Sequence, residues 1–116
     1  MNTMRTAEQI FAHHGQALGA EDLEAIVSDY TDDAVLVVHG DVYRGKDGAR
    51  AVFTQLLADV PHATWDLDTV FAGDVLYLEW KAQSDTARHI DDGVDTFVFD
   101  DGKIKVQTIK YTVQRG

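Results

Sequence analysis

Cysteine is missing from this 116-residue sequence, proline occurs once, and basic side chains are outnumbered by acidic ones, 10 against 20. Each shortage closes a class of function. Without cysteine there is no disulfide, no thiolate nucleophile and no cysteine-held metal cluster, and the redox state of the compartment leaves no mark. A formal charge of -10 repels phosphate backbones and anionic lipid heads, so neither nucleic acid nor a membrane surface is expected as a partner. The longest apolar run, Ala34 to Val38, is far too short to span a bilayer. The first residues hold no apolar stretch of signal-peptide type, and a cytoplasmic location is the expectation. His13 and His14 are neighbours on a helix and should point apart, while His39, His62 and His89 lack partners at ligand spacing. No metal or other cofactor is therefore expected.

What is present is an ordinary globular composition, 45% hydrophobic and 26% charged, with no repeat, linker or low-complexity segment. One domain over residues 1–116 is expected. Ala7, Ile10, Phe11, His14, Ala17 and Leu18 recur at helical spacing and predict a first helix ending at Gly19. Glu21 and Asp22 mark the start of a second, with Leu23, Ile26, Val27 and Tyr30 on its apolar face and its end near Thr31. Ala34 to His39 then reads as a strand that turns at Gly40-Asp41 toward Val42 and Tyr43. From Asp47 to Asp59 the residues Ala49, Val52, Phe53, Leu56 and Leu57 fit a third helix, which Pro61 closes off.

Beyond Pro61 the period changes from helical to alternating. Gly73-Asp74, Ser84-Asp85 and Asp100-Asp101-Gly102 divide Ala63 to Val113 into four segments rich in Val, Thr, Ile and aromatics, which predict four consecutive antiparallel strands. Leu76, Leu78, Trp80 and Ala82 alternate with Val75, Tyr77, Glu79 and Lys81, and Gln107, Ile109, Tyr111 and Val113 alternate with Val106, Thr108, Lys110 and Thr112, so the first set of each should face the core. Asp95 shares its strand face with Phe97 and Phe99. Strands of this length twist, and three helices cover only one face of the sheet; an α+β fold with a cupped internal pocket follows. The acidic pairs Asp32-Asp33, Asp91-Asp92 and Asp100-Asp101 read as solvated turns.

The order of these elements, with Asp32-Asp33-Ala34-Val35 after Tyr30, Arg44-Gly45-Lys46-Asp47-Gly48 before helix three, and Asp95-Thr96-Phe97 leading to Gly102-Lys103-Ile104, resembles the nuclear transport factor two-like superfamily. Within it the sequence is most similar to the SnoaL-like proteins, and also to the ketosteroid isomerases. The resemblance covers the whole chain and implies a cystatin-like α+β barrel, or cone: three N-terminal helices packed on a strongly curved mixed or antiparallel sheet. It also implies a pocket at the wide end and a homodimer paired through the outer sheet faces, here Val75, Tyr77, Val106, Thr108 and Thr112. Carried over residue by residue from the isomerases, the oxyanion-binding Asp falls on Asp95, the oxyanion-binding Tyr on His14, and the general-base Asp on Val38, which cannot take a proton. That departure speaks against steroid isomerisation. No arginine can be placed with two carboxylates, which speaks against epoxide hydrolysis.

Asp95 and His14 are the candidate catalytic pair. His14 lies on the buried stripe of helix one, where a histidine serves either as a satisfied core residue or as a proton carrier. Desolvation should raise the Asp95 pKa unless a protonated His14 holds its charge. Tyr30, Val38, Phe53, Trp80, Phe97, Gln107, Ile109 and Tyr111 are expected to line the pocket. Two functions fit: acid/base chemistry (isomerisation, cyclisation or dehydration) on an apolar carbonyl or cyclic substrate, or non-catalytic binding by an accessory dimeric module. The partner in both is a small hydrophobic or amphipathic organic molecule.

Overall fold

A computed structural model describes residues 4–115. The first helix, α1 (Ala7–Gly19), opens on a reciprocal cap in which the Thr6 hydroxyl accepts from the Gln9 backbone and the Gln9 side chain accepts from the Thr6 backbone. It buries Ile10, His14, Ala17 and Leu18. The second, α2 (Leu23–Val27), is capped by the Asp22 side chain and stops well before Thr31. Tyr30 therefore leaves the helix face on which its spacing placed it and begins β1 (Tyr30–Val38). The cause is tertiary: the Ile104 backbone donates to the Asp29 carbonyl at 2.7 Å and draws the chain into the sheet.

From β1 the chain reverses into β2 (Asp41–Arg44) through His39 and Gly40, both at positive φ. This is the two-residue hairpin whose twist suits flanking strands, one position earlier than the Gly40-Asp41 turn the sequence suggests. Helix α3 (Gly45–Asp59) follows at once and buries Ala49, Val52, Phe53 and Leu56. Four antiparallel strands then run in succession: β3 (Thr64–Ala72), β4 (Val75–Gln83), β5 (Arg88–Asp100) and β6 (Lys103–Lys110). The hairpin joins this meander by pairing β1 parallel to β6, giving the order β2-β1-β6-β5-β4-β3. A short β7 (Gln114–Arg115) pairs with the start of β5.

The result is α+β: helices against one face of a mixed, curved sheet that does not close, since β2 and β3 remain at opposite edges. Alternation sets the faces. Leu76, Leu78, Trp80 and Ala82 are buried on β4, and Phe97, Phe99, Ile104, Gln107 and Ile109 continue the inner face across β5 and β6. Two of the three acidic pairs are not turns. Asp32-Asp33 lie within β1, and Asp91-Asp92 lie within β5, where both stand opposite Lys81 between the Trp80/Gly93 and Ala82/Ile90 pairs. That is a bulge, which tolerates extended acidic residues facing water because one of them leaves the ladder.

Candidate functional site

Strand register builds the site. Leu78, Asp95, Ile109 and Val38 are lateral partners across β4, β5, β6 and β1, so one carboxyl stands in an otherwise apolar inward row. The neighbouring row toward one end holds Leu76, Phe97, Gln107 and Leu36; toward the other, Trp80 pairs with Gly93. Asp95 is thus flanked diagonally by Trp80 and Gln107, within reach of long side chains. The Trp80 indole Nε1 donates to Oδ1 at 2.9 Å and the Gln107 amide donates to Oδ2 at 3.0 Å. The Tyr30 hydroxyl donates in turn to the Gln107 carbonyl, completing a buried chain of donors and acceptors.

Gly93 makes this geometry possible. A Cβ there would fall 2.2 Å from two carbons of the Trp80 indole, so the ring lies flat over bare backbone and its N–H reaches the carboxyl. Burial pushes the Asp95 carboxyl up from 3.8 to about 7, against the opposing effect of the two N–H donors. Desolvation wins because both donors are neutral and supply no countercharge.

His14 enters from α1. Its ring meets Phe53, Phe97 and Tyr30 edge-on at centroid distances of 5.3, 5.7 and 5.9 Å. Burial lowers its pKa to about 4, with Asp29 partly opposing and His13 reinforcing the shift. The imidazole is neutral at pH 7, and its Nδ1 is buried without a hydrogen-bond partner. Asp29 lies behind it, fully buried, with Oδ2 at 3.8 Å from that nitrogen. Asp29 also takes a 2.9 Å contact from Arg5 and 2.8 Å contacts from His13 Nδ1. His13 and His14 therefore do not point apart: both turn a ring nitrogen toward the same carboxylate.

Asp95 and His14 line one cavity, with Phe53, Trp80 and Phe97 among its walls and Phe11, Trp65 and Leu67 on its outer side. Space for the centre of a water-sized sphere is about 20 Å³, room for about one water. A ligand larger than that has to displace the half-buried Phe11 and Trp65 or the exposed Leu67. No hydrogen bond joins Asp95 to His14 among the described residues. Five residues expected in the lining do not reach this cavity. Tyr30 and Gln107 stand behind it as hydrogen-bonded support. Val38 and Ile109 pack beside Asp95 toward β1, and the Tyr111 hydroxyl is turned away to donate to Asp59 at 2.8 Å. Arg5 and Asp29 belong to no apolar period, and His13 is legible only as the neighbour of His14, so their meeting has no local signal. Gly93, a glycine inside a strand pattern, was the one readable sign of a close approach.

Among the described residues no group of three or more His, Cys, Asp or Glu could hold a metal. No helix there is long and apolar enough to cross a membrane. The chain belongs to the SnoaL-like domain family, whose match spans residues 11–107. Among solved structures it is similar to the epoxide hydrolase/cyclase-like enzyme SalBIII of pyran ring formation in the polyether salinomycin, at 20% identity and a TM-score of 0.78 over 94% of this chain and 95% of that one. It is similar to an NTF-2 like protein from Burkholderia xenovorans LB400, at 21% identity and 0.75 over 90% and 81%. A third is a putative polyketide cyclase from Sinorhizobium meliloti, at 17% and 0.67 over 86% and 92%. At these identities the likeness establishes the fold. No curated protein sequence matches.

Proposed function

We propose that this SnoaL-like protein binds a small, mostly apolar carbonyl or cyclic molecule and acts on it by cofactor-independent acid/base chemistry, with Asp95 moving the proton and His14 assisting. One observation carries the reading. Asp95 is a buried carboxyl in an apolar cavity, gripped at both oxygens by neutral N–H donors, with its pKa raised to about 7. Such a group exists in both protonation states near neutrality, which proton transfer requires. It shares the cavity with an uncharged imidazole. Isomerisation, cyclisation and dehydration each need this set of groups and no nucleophile. The similarity to a cyclase-like enzyme and a putative polyketide cyclase supports the class and leaves the substrate open.

The test is deuterium exchange beside the carbonyl of a panel of small cyclic ketones in heavy water, followed by proton NMR. The wild type should exceed Asp95→Asn by about 100-fold or more, the usual worth of a positioned acid or base. Equal rates with both proteins folded would remove Asp95 from the chemistry.

A second reading, a non-catalytic accessory dimeric module, is favoured by the outer sheet face. Val42, Val70, Tyr77 and Val75 are exposed there, and Val70, Tyr77, Thr96, Thr108, Val37 and Val42 form one continuous lateral row. In this proposal two copies cover that row. Light scattering should give a dimer mass that Tyr77→Asp reduces to the monomer; a wild-type monomer at micromolar concentration refutes it.

A further inference from the structure

The buried Asp29 has no role in the chemistry proposed above, yet it is the acid nearest to His14. Three nitrogens surround its carboxylate. Arg5 Nη1 is 2.9 Å from Oδ1, His13 Nδ1 is 2.8 Å from both oxygens, and His14 Nδ1 is 3.8 Å from Oδ2. Arg5 also donates to the Gly102 carbonyl at 3.0 Å, which ties the segment before α1 to the β5-β6 turn and fixes the guanidinium in place. The first two nitrogens satisfy the carboxylate. The third receives its field without forming a hydrogen bond.

A neutral imidazole carries one N–H, and its neighbours decide which nitrogen holds it. At His14 the two choices are unequal. A lone pair on Nδ1 would sit buried, unpartnered and aimed at a carboxylate, which is repulsive; an N–H on Nδ1 puts its positive end toward that carboxylate. The ring is not free to turn away, because Phe53, Phe97 and Tyr30 meet it edge-on from three elements. Asp29 does not line the cavity and His14 does, so the Nδ1 edge belongs to the protein interior and the remaining nitrogen is the one a ligand can use.

We propose that Asp29 is a positioning residue that holds His14 as the Nδ1–H tautomer, so that the Nε2 lone pair is the proton acceptor of the cavity and Asp95 is its proton donor. This rests on the acid/base reading of the same site and assigns the direction of transfer. It departs from the resemblance, in which His14 takes the place of an oxyanion donor. A lone pair cannot donate. In a keto-to-enol step the carbon acid beside the carbonyl gives its proton to Nε2. The C–H electron pair becomes the C=C bond, and the carbonyl oxygen takes the proton of the Asp95 carboxylic acid. The imidazolium that forms faces Asp29 and is stabilised by it; its Nε2 proton then passes through water to the Asp95 carboxylate, which restores both groups. The ligand must therefore bring a hydroxyl or acidic C–H to the helix side and an oxygen acceptor to the sheet side, which describes carbonyl compounds that enolise or carry a neighbouring hydroxyl.

The tautomer is observable without any substrate. Long-range nitrogen-proton NMR of the labelled protein near pH 7, with His14 assigned by its loss in His14→Gln, should show a protonated Nδ1 and an unprotonated Nε2. In Asp29→Asn the amide can donate, and the pattern should move to Nε2–H. Asp29→Glu keeps the charge and should keep the wild-type pattern. A wild-type His14 protonated at Nε2 overturns the proposal, as does a folded Asp29→Asn with an unchanged pattern. Should Asp29→Asn fail to fold, loss of the Nδ1–H form in Asp29→Glu overturns it instead. The deuterium-exchange experiment is independent: exchange that needs Asp95 together with a His14 protonated at Nε2 would refute this assignment alone.

Discussion

Two carboxyls are buried among the described residues, Asp95 in the middle of the sheet and Asp29 where α2 runs into β1, and they are held in opposite ways. Asp29 is met by a guanidinium and two imidazoles, Asp95 by an indole and an amide. Both are removed from water. The difference is countercharge. A cation at 2.9 Å compensates the buried charge of Asp29, whereas neutral N–H groups satisfy the oxygens of Asp95 and leave its charge uncompensated. The same residue type at similar burial thus becomes a charge-compensated anchor in one region and a carboxyl with a raised pKa in the other.

The largest test of that contrast is pH. Asp95 has a raised pKa, so its contribution to stability is fully present below 3.8, falls as the pH climbs and is gone above about 7, a change of at most roughly 4 kcal/mol. His14 has a lowered pKa; its contribution is present above 6.5 and is lost as the pH falls toward about 4. Over the shared window the two slopes oppose each other and nearly cancel in the wild type. Asp95→Asn should unmask a stability that rises with pH relative to the wild type, and His14→Gln one that falls. Denaturant titrations from pH 4 to 7 read both, and parallel curves for all three proteins would mean that neither group has a shifted pKa.

Next in size is Gly93→Val, which forces a side chain into the Trp80 indole and should cost about 3 kcal/mol. The measurable consequence beyond stability is at Asp95, which loses its indole donor, so its carboxyl should titrate higher still by carbon-detected NMR. A tolerated Gly93→Val would show that the indole does not need the bare strand.

Smallest is Trp80→Phe. It keeps an aromatic ring but removes the Nε1–H donor together with one ring of the indole; the lost donor leaves one carboxyl oxygen of Asp95 unpartnered, a pH-dependent cost of about 1–2 kcal/mol beside the cost of the lost packing. Because the protonated form suffers less from the loss, the penalty should shrink below neutral pH. A penalty that is constant with pH would assign the cost to packing instead.

The sequence by itself determined the main helices and strands, their order and the inner face of β4 and β6, but not the end of α2, the strand placement of Tyr30 and of two acidic pairs, or β7. Side-chain period is a property of neighbours along the chain, so alternation on β4 and β6 identified the inner face, helical spacing placed His14 on a buried stripe, and Asp95 could be read beside Phe97 and Phe99. What only the tertiary structure decided is which groups meet. Trp80 reaches Asp95 from 15 residues away, Gln107 from 12, and Tyr30 reaches Gln107 across 77. Those separations are bridged by strand register, by the parallel pairing of β1 with β6 and by the bulge at Asp91-Asp92, none of which has a local signature. Asp29 shows the limit most plainly. Nothing beside it in the sequence distinguishes it from the solvated acids, and it became a buried partner of Arg5, His13 and His14 because two helices and the β5-β6 turn converge on it. Local pattern sets which way a side chain points; the charge it finds there depends on chain segments brought together by folding, and that charge sets its chemistry.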